Sequence, residues 1–377
     1  RWLKGIENGI EREPILRTWM QETPPTPTQT ERPGRWLVEP SWPTPNVRSQ
    51  VHALNAGGTL ERERGPELRL EQRGPLASGH DGGIWCPHGA PGDLPGDQRA
   101  ADGMSLTFTS APLAERIEIL GHPEVRLSLA VDRPQALVAV RLCDIAPDGA
   151  STLISYGLLN LTHRESHEHP TPLEPGRRYD NVIVRLNVIG YAVPPSHRLR
   201  VAVAPNYWPW AWPSPAAVTL SVFSGTSELR LPVRPVRTDE PVPPAFDEPE
   251  SLEQAQPEVV RTGGRTFTVT QDRLSGLVEE RRDRTMGAIR MPSRGLLIEG
   301  NDLDVYTVVE GQPLSACCRA ERTTQFSRPG WRIRVETVST LSADAEDFHL
   351  TNTVDAYENG VRVFTKSWDR AIPRENV

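Results

Sequence analysis

A series of short apolar runs, each ended by Pro, Gly or Asp, constrains the fold of this chain most strongly. From Ser105 onward the runs are rich in β-branched residues, and several alternate between apolar and polar positions. In order they are SLTFTSAPL, RIEIL, VRLSLAV, ALVAVRLCDI, TLISYGLLNLT, NVIVRLNVIGYAV, HRLRVAVAPNYW and AVTLSVFS. Strands of this length and spacing are typical of a β-sandwich or jelly roll. The sequence therefore predicts a mostly β protein.

The composition agrees with short strands and excludes several classes of function. The 377 residues include 37 Pro and 29 Gly, and the net charge is −7 with both signs interspersed. This is not the basic surface of a nucleic-acid-binding protein. No apolar run approaches the roughly 20 residues that span a bilayer. The sequence therefore predicts neither a nucleic-acid nor a membrane partner, and it leaves a homo-oligomer open.

The four cysteines do not have the spacing of a zinc site. Cys317 and Cys318 are adjacent, and Cys86 and Cys143 are far from them and from each other. Neighbouring cysteines rarely pair, and no C-x-x-C motif is present. We interpret all four as buried or free thiols and expect a reducing, cytoplasmic compartment. No cofactor is predicted.

The first residues read as the end of a helix. The apolar side chains of RWLKGIENGI, residues 1–10, fall at helical spacing from the first position. A helix already under way at Arg1 implies chain before it. Pro14 ends this helix, and ILRTWM, residues 15–20, has strand character. The Pro-rich stretch that follows, residues 22–34, predicts a connection outside any sheet.

A second β-rich block follows an acidic, Pro-rich linker over residues 236–257. Its predicted strands are RTFTVTQD, GLVEERRD, GLLIEG, WRIRVETVSTLSA and FHLTNTVDAYENGVRVFTKSWDR. In the last of these, Asn359-Gly360 separates two alternating runs, which is a strong hairpin signal. Residues 258–377 are therefore predicted to form a small twisted antiparallel sheet with one solvated face.

No serine-hydrolase nucleophile is visible in the chain. The G-x-S-x-G elbow exposes a serine on a strained turn between a strand and a helix. GMSLT (103–107) and FSGTS (223–227) share only parts of that pattern. The sequence therefore predicts no catalytic serine of this type.

Two groups of histidines are candidates for a functional site. HRESHEHP places His163, His167 and His169 close together, which is compatible with zinc, but a polar segment that runs into prolines is explained by a solvated loop. We therefore predict no metal site there. His80-Asp81 and His88 lie in a Gly-rich loop and could orient one another, which is weak evidence for catalysis without a nucleophile.

NYWPWAWPSP, residues 206–215, is the richest aromatic segment of the chain. In extended chain Trp208, Trp210 and Trp212 project to one side. Such a row could stack on sugar rings or hold an apolar group, and a stand-alone carbohydrate-binding module is the alternative function it suggests. The rings could equally hold one domain against another, and large aromatic side chains are usually buried. We favour the second interpretation.

Several motifs, taken in order, resemble one family. RWLKGIENGI, EPILRTWM, GGTL (57–60), DQRAADGMSLTFTSAPL (97–113), PPSHRLRVAVAPNYWP and SWDRAIPRENV are among them. Together they resemble the C-terminal portion of CocE/NonD-type serine hydrolases, which are relatives of X-Pro dipeptidyl peptidases and cocaine esterase. The similarity covers nearly the whole chain and is weaker after residue 257.

The resemblance implies an architecture. Residues 1–22 would be the last helix and strand of an α/β-hydrolase domain. Residues 23–235 would be a jelly-roll β-sandwich of the galactose-binding-like type, followed by the linker 236–257 and the antiparallel tail 258–377.

The resemblance also implies a function. The catalytic Ser, Asp and His would precede Arg1, so no catalytic residue is assigned in this chain. The parent reaction would be hydrolysis of a small ester, amide or peptide. This chain would shape the active-site cleft and dock on the hydrolase domain. The residues predicted to face the hydrolase domain are Tyr207, Trp208 and Trp210. Trp212 is a further candidate for the cleft or the interface.

Overall fold

The structure, a computed structural model, describes residues 5, 7, 9–22, 31–87, 90, 92–237, 240–243, 245 and 257–377. It contains one sheet of fifteen strands and one of eight. The prediction of a mostly β protein is confirmed. The helix predicted over residues 1–10 lies largely outside the described residues, and a short 3-10 helix occupies Ile10–Arg12. Most of the predicted linker 236–257 also lies outside them.

The first sheet forms a sandwich that spans the first two thirds of the chain. One short helix, α1 at Arg99–Gly103, and 3-10 turns at His80–Gly82 and Leu161–His163 connect its strands. The strands are β1 Leu16–Gln21, β2 Gly34–Glu39, β3 Arg48–Asn55, β4 Thr59–Glu61, β5 Arg69–Gln72, β6 Leu106–Thr109, β7 Ile117–Gly121, β8 Glu124–Val131, β9 Leu137–Ile145, β10 Ser151–Asn160, β11 Tyr179–Arg185, β12 Ile189–Val193, β13 Arg198–Ala204, β14 Leu220–Phe223 and β15 Glu228–Arg234.

The strand order shows how the two layers of the sandwich are linked. One path runs β10-β9-β13-β6-β4-β3-β15-β7-β12-β1-β2, while β8 pairs with β11, β14 and β15 off this path. Strand β15 pairs antiparallel with β3, β7 and β8, so it connects both groups. The eight strands predicted after Ser105 are all present, with the sixth divided into β11 and β12.

The main hydrophobic core lies between these layers. Val138, Val140 and Leu142 of β9 face Leu127 and Leu129 of β8 within one cluster, and all five side chains are fully buried. Alternation along the strands explains this, because every second residue points to the same face. Full burial of each such side chain stabilises the fold by roughly 1.5–3 kcal/mol.

The outer face of β9 is also buried, because the segment around α1 covers it. Arg141 of β9 forms an ion pair of 2.8 Å with Asp102, and the same guanidinium donates to Gln98 at 3.0 Å. Gln98 in turn donates to the main-chain oxygen of Asp81 at 2.7 Å. This chain of polar contacts fixes the loop that carries His80 and Asp81.

Strand β1 confirms the strand predicted over residues 15–20. It pairs antiparallel with β2 along its whole length, and Gln21 also pairs in parallel with Tyr191 of β12. The strand is therefore joined to the hydrogen-bonded network of the sandwich. The domain boundary at residue 22 stays a prediction.

The second sheet is an antiparallel meander formed by the tail. A 3-10 turn at Pro292–Arg294 is its only helical segment among the described residues. The strands are β16 Glu258–Arg261, β17 Gly264–Gln271, β18 Leu277–Met291, β19 Leu296–Val309, β20 Gln312–Arg328, β21 Trp331–Ala343, β22 Asp347–Glu358 and β23 Val361–Pro373.

The tail sheet confirms the predicted hairpin and adds two unpredicted strands, β16 and β20. Glu358 of β22 pairs with Val361 of β23 across the two-residue turn Asn359-Gly360. Both turn residues have positive φ, 50° and 86°, as a type I′ turn requires. Strand β20, the longest at 17 residues, was not predicted. Among the described residues, none of the helices has the length and apolarity of a membrane span.

Candidate functional site

The Trp-rich segment does not form the predicted row. Residues 208–210 form a turn, so the alternation that an extended chain would give is lost. Trp208 is only 1% exposed and Tyr207 only 2%, while Trp210 and Trp212 are half-buried. The prediction that the three tryptophans project to one side is therefore wrong, because the local backbone is not a strand.

Trp208 and Trp212 pack against the tail sheet. Their ring centroids are 5.2 Å apart, edge to face. Trp208 also lies 6.3 Å from Tyr306 of β19, and Trp212 lies 5.4 Å from Phe348 of β22. Such edge-to-face pairs add to the stabilisation that burial provides. These two rings therefore pack between the sandwich and the tail.

Tyr207 and Trp210 belong to a second aromatic group on the sandwich side. Trp210 lies 5.2 Å from Tyr156 of β10, 6.4 Å from Tyr207 and 5.8 Å from Trp85. Burial raises the pKa of the Tyr207 phenol well above its usual range. Tyr207 is therefore a neutral structural ring.

His80 contacts a carboxylate of the tail sheet, a partner that the sequence did not suggest. Its Nδ1 lies 2.5 Å from Oε2 of Glu280 on β18, and Glu280 is fully buried. Arg282 donates from Nε to the other oxygen of the Glu280 carboxylate at 2.7 Å. His88 lies outside the described residues. Glu280 was missed because nothing near it in sequence marks its position.

Asp81 lies beside this contact without binding His80 directly. Burial raises the pKa of the Asp81 carboxyl, although the nearby His80 and Arg141 act in the opposite direction. The neutral acid is therefore favoured more in the folded protein than in a free chain.

Two further contacts fix the tail on the sandwich. The Glu310 carboxylate accepts hydrogen bonds from the main-chain N–H groups of Leu76 at 2.8 Å and Ala77 at 3.0 Å. Arg374, buried near the end of the chain, donates to the carbonyl oxygen of Pro213 at 2.8 Å. Hydrogen bonds that involve a charged group are the stronger kind. The junction of the two sheets is therefore apolar at its centre and charged at its margin.

A small aromatic cavity opens at this margin. Its volume is about 180 Å³, and it is lined by Trp85, Pro209, Trp210, Arg282 and Tyr306. Trp85 is 75% exposed, so its ring forms an outer wall. The cavity can hold one flat or apolar group against the rings. Its lining contains no nucleophilic side chain.

The histidine loop remains solvated. His167 and His169 are exposed, and the rings of His163 and His167 are 5.5 Å apart. Within the part of the chain that the structure describes, no three His, Cys, Asp or Glu side chains are grouped as metal ligands would be. The four cysteines form no disulfide with one another.

A pair of exposed tryptophans lies on the β1–β2 hairpin. Trp19 and Trp36 are directly opposite in the register, and their rings meet edge to face at 5.5 Å. They are 37% and 42% exposed, whereas Met20 and Leu37 on the other face of the hairpin are buried. Exposed indoles of this size on adjacent strands are typical of an interaction surface. We call Trp19 and Trp36 the hairpin patch.

The sequence comparison then decides the family. A sequence model for the X-Pro dipeptidyl-peptidase C-terminal non-catalytic domain matches residues 8–240. The chain belongs to this family. The match covers the sandwich and includes β1, and the resemblance to CocE/NonD-type hydrolases is confirmed.

The relatives include both esterases and a putative Xaa-Pro dipeptidyl-peptidase of Streptomyces avermitilis, which is 23% identical over 283 residues that cover 62% of this chain and 38% of that protein. A putative serine esterase of Mycobacterium bovis is 26% identical over 234 residues, which cover 54% of this chain and 34% of that protein. The cocaine esterase of Rhodococcus sp. is 24% identical over 190 residues, which cover 46% and 32%. The crystal structure of a CocE/NonD family hydrolase from Staphylococcus aureus aligns with 61% of this chain and 43% of that one, at a TM-score of 0.47 and 14% identity. The chain thus spans about a third of the length of the curated relatives it matches.

Proposed function

We propose that this chain is the non-catalytic C-terminal part of a CocE/NonD-type serine hydrolase. In this role it docks on an α/β-hydrolase domain and forms one wall of the active-site cleft. The observation that carries the proposal is the family match over residues 8–240, whose family is defined by a non-catalytic domain of a hydrolase. The predicted mechanism needs no catalytic residue from the sandwich.

The hairpin patch is the surface that we assign to the hydrolase domain. The sequence pointed to Tyr207, Trp208 and Trp210 for this role. Tyr207 and Trp208 are buried within the chain, so they have no surface left to offer. Trp19 and Trp36 are exposed and apolar. Strand β1, which carries Trp19, pairs with β2 and β12 of the sandwich, so in this proposal the domain boundary lies before β1 and not at residue 22.

The hairpin is held rigidly enough to dock. Arg35 of β2 pairs with the buried Glu118 of β7 at 2.5 Å and with Glu22 at 2.9 Å. Desolvation alone would lower the pKa of Arg35. The hydrogen bonds and charges of Glu118 and Glu22 outweigh this effect and raise the pKa overall, so the guanidinium stays charged. A surface fixed in this way loses little side-chain entropy on association.

The reaction of the proposed parent is acyl hydrolysis. A serine oxygen attacks the acyl carbon while a histidine takes the serine proton, and the tetrahedral oxyanion is held by hydrogen-bond donors. The leaving alcohol or amine departs with that proton, and water then hydrolyses the acyl-enzyme. The proposed substrate of the parent is a small ester, amide or peptide, since the relatives include both esterases and a dipeptidyl-peptidase. In this chain, Trp85 and Trp210 are proposed to contact an apolar part of the substrate.

The test uses the coding sequence upstream of Arg1. We expect an in-frame G-x-S-x-G followed by Asp and His, and we expect the extended protein to hydrolyse p-nitrophenyl esters or X-Pro anilides. In the extended protein, Trp19→Ser with Trp36→Ser should lower activity and weaken association of the two domains. Trp42→Ser is the matched control, since Trp42 is 43% exposed but lies beyond the β1–β2 pairing.

Three outcomes contradict the proposal at different points. Hydrolysis by the 377-residue chain alone contradicts its non-catalytic role. An upstream region without a serine elbow contradicts the parent enzyme. Equal domain association in the double variant and the control contradicts only the assignment of the hairpin patch.

A further inference from the structure

The end of the tail sheet that lies away from the sandwich contains a large open cavity. Its volume is about 840 Å³, and it lies between the turns at 292–295, 329–330 and 359–360. Four arginines line it: Arg290, Arg328, Arg332 and Arg334. We call this cavity the arginine cleft. A volume of this size is in the range of small-molecule sites.

The register of the strands places two of these arginines on one face. Ser327 of β20 is opposite Arg332 of β21, and Gln325 is opposite Arg334, which is opposite Tyr357 of β22. Directly opposite residues in an antiparallel pair point to the same face. The floor of the cleft is therefore formed by two adjacent cross-strand rows.

The charge of the cleft is unbalanced. Its lining includes no carboxylate. Glu258 pairs with Arg290 at 3.2 Å and Glu336 with Arg334 at 3.0 Å, both from outside the lining. Within residues 257–377, which the structure describes throughout, no ion pair involves Arg328 or Arg332. Arg328 and Arg332 thus line the cleft without an ion-pair partner.

Aromatic rings orient the guanidinium groups of this cleft. Arg328 lies over the ring of Trp331 at 5.0 Å, and Arg334 lies over the ring of Tyr357 at 4.3 Å. Stacking of this kind holds the planar fork in a defined direction. The turn on one side is also fixed, because the main-chain N–H of Arg332 donates to the side chain of Asn359 at 3.0 Å.

We propose that the arginine cleft binds a small multivalent oxyanion, a compound with two or more phosphate or carboxylate groups. Guanidinium forks match both groups through paired hydrogen bonds. The whole chain carries a net charge of −7, so general attraction of anions is weak and binding depends on the local cluster. This site is separate from the proposed hydrolase surface, since it lies on the tail and involves neither Trp19 nor Trp36.

The experiment is isothermal titration of the 377-residue protein with inorganic tripolyphosphate and, separately, with citrate at 50 mM and 300 mM NaCl. We expect saturable binding of at least one probe, and weaker binding at the higher salt concentration because the site is open to solvent. Preference for tripolyphosphate identifies a phosphorylated ligand, and preference for citrate identifies a polycarboxylate.

Variants test the position of the site. Arg328→Gln with Arg332→Gln should weaken binding by about tenfold or more, since two charge-assisted contacts are removed. Arg332→Glu alone, at an exposed position, should do the same if the double variant folds poorly. The matched control is Arg273→Gln, which removes an exposed arginine from the turn at the opposite end of β18.

Each result decides the proposal. Loss of binding in the cleft variants with retention in Arg273→Gln supports it. No binding of either probe at 50 mM NaCl overturns it, and so does equal binding by the wild type, the cleft variants and the control.

Discussion

The imidazole of His80 and the carboxylate of Glu280 lie 200 residues apart in sequence, yet Nδ1 and Oε2 are 2.5 Å apart. His80 belongs to a 3-10 turn of the sandwich, and Glu280 belongs to β18 of the tail sheet. The second carboxylate oxygen of Glu280 is bonded to Arg282. A buried carboxylate is stable only when its oxygens are paired in this way. The contact therefore ties the position of the tail to the position of the sandwich loop.

Glu280→Ala should destabilise the protein by about 3 kcal/mol, since it leaves Arg282 and the His80 ring without their partner in a buried setting. The free energy of unfolding in urea is the measurement. Glu279→Ala is the control, because Glu279 is on the opposite face of the same strand and half-exposed. An equal decrease in the free energy of unfolding in the two variants would show that the contact between Glu280 and His80 does not add to stability.

Trp208→Ala should cost about 3–5 kcal/mol, because it empties a fully buried space between the sandwich and the tail. It should also speed cleavage in the connection between the two sheets during limited proteolysis. Trp85→Ala should change stability by less than about 0.5 kcal/mol, since Trp85 is largely exposed. A small effect for Trp208→Ala would mean that its ring does not hold the two sheets together.

The strands of the sandwich could be predicted because their apolar residues alternate and their ends carry Pro, Gly or Asp. Strand β20 could not, since its centre, SACCRAERTTQ, has no alternation and its side chains are mostly half-buried on both faces. It is a strand because two long neighbours, β19 and β21, supply partners for its main chain. Local sequence does not carry that information.

The site was less predictable than the fold. The sequence suggested that Asp81 and His88 could orient His80, whereas the structure pairs His80 with Glu280, and only the folded chain brings His80 and Glu280 together. The tryptophan row failed for a different reason, because it assumed an extended backbone at Trp208. In the structure Trp208 and Trp212 pack against Tyr306 and Phe348 of the tail, while a contact of these rings with a hydrolase domain stays a prediction.

Gly360→Val should destabilise the tail by about 1–2 kcal/mol through backbone conformation alone. Gly360 has a φ of 86°, and a Cβ added there would meet no atom within 4 Å, so crowding plays no part. Gly264→Val is the matched control, since its Cβ position is equally open and its φ is not in the left-handed region. Urea unfolding of both variants gives the comparison, and an equal effect would point away from the type I′ turn.

Asp81→Asn should make stability less sensitive to pH. Because burial raises the pKa of Asp81, the folded protein retains the proton to a higher pH than the unfolded chain does. Its stabilising contribution is therefore complete below the unfolded-state value of about 3.9 and is lost as the pH rises through the folded-state value. The amide cannot ionise, so the variant should gain stability relative to the wild type as the pH rises from 3 to 7.

Asp97→Asn should change the pH dependence of stability in the direction opposite to Asp81→Asn. Desolvation alone would raise the pKa of Asp97, but hydrogen bonds and charge from Arg99 lower it overall. The stabilising contribution of the ionised Asp97 is present above the unfolded-state pKa and is lost as the pH falls through the folded-state pKa. The variant lacks this contribution, so it should lose stability relative to the wild type as the pH rises from 3 to 7. Urea unfolding at several pH values measures both differences. If the plots of unfolding free energy against pH for both variants run parallel to that of the wild type, neither carboxyl has a different pKa in the folded and unfolded states. The burial of Asp81 would then have no energetic consequence.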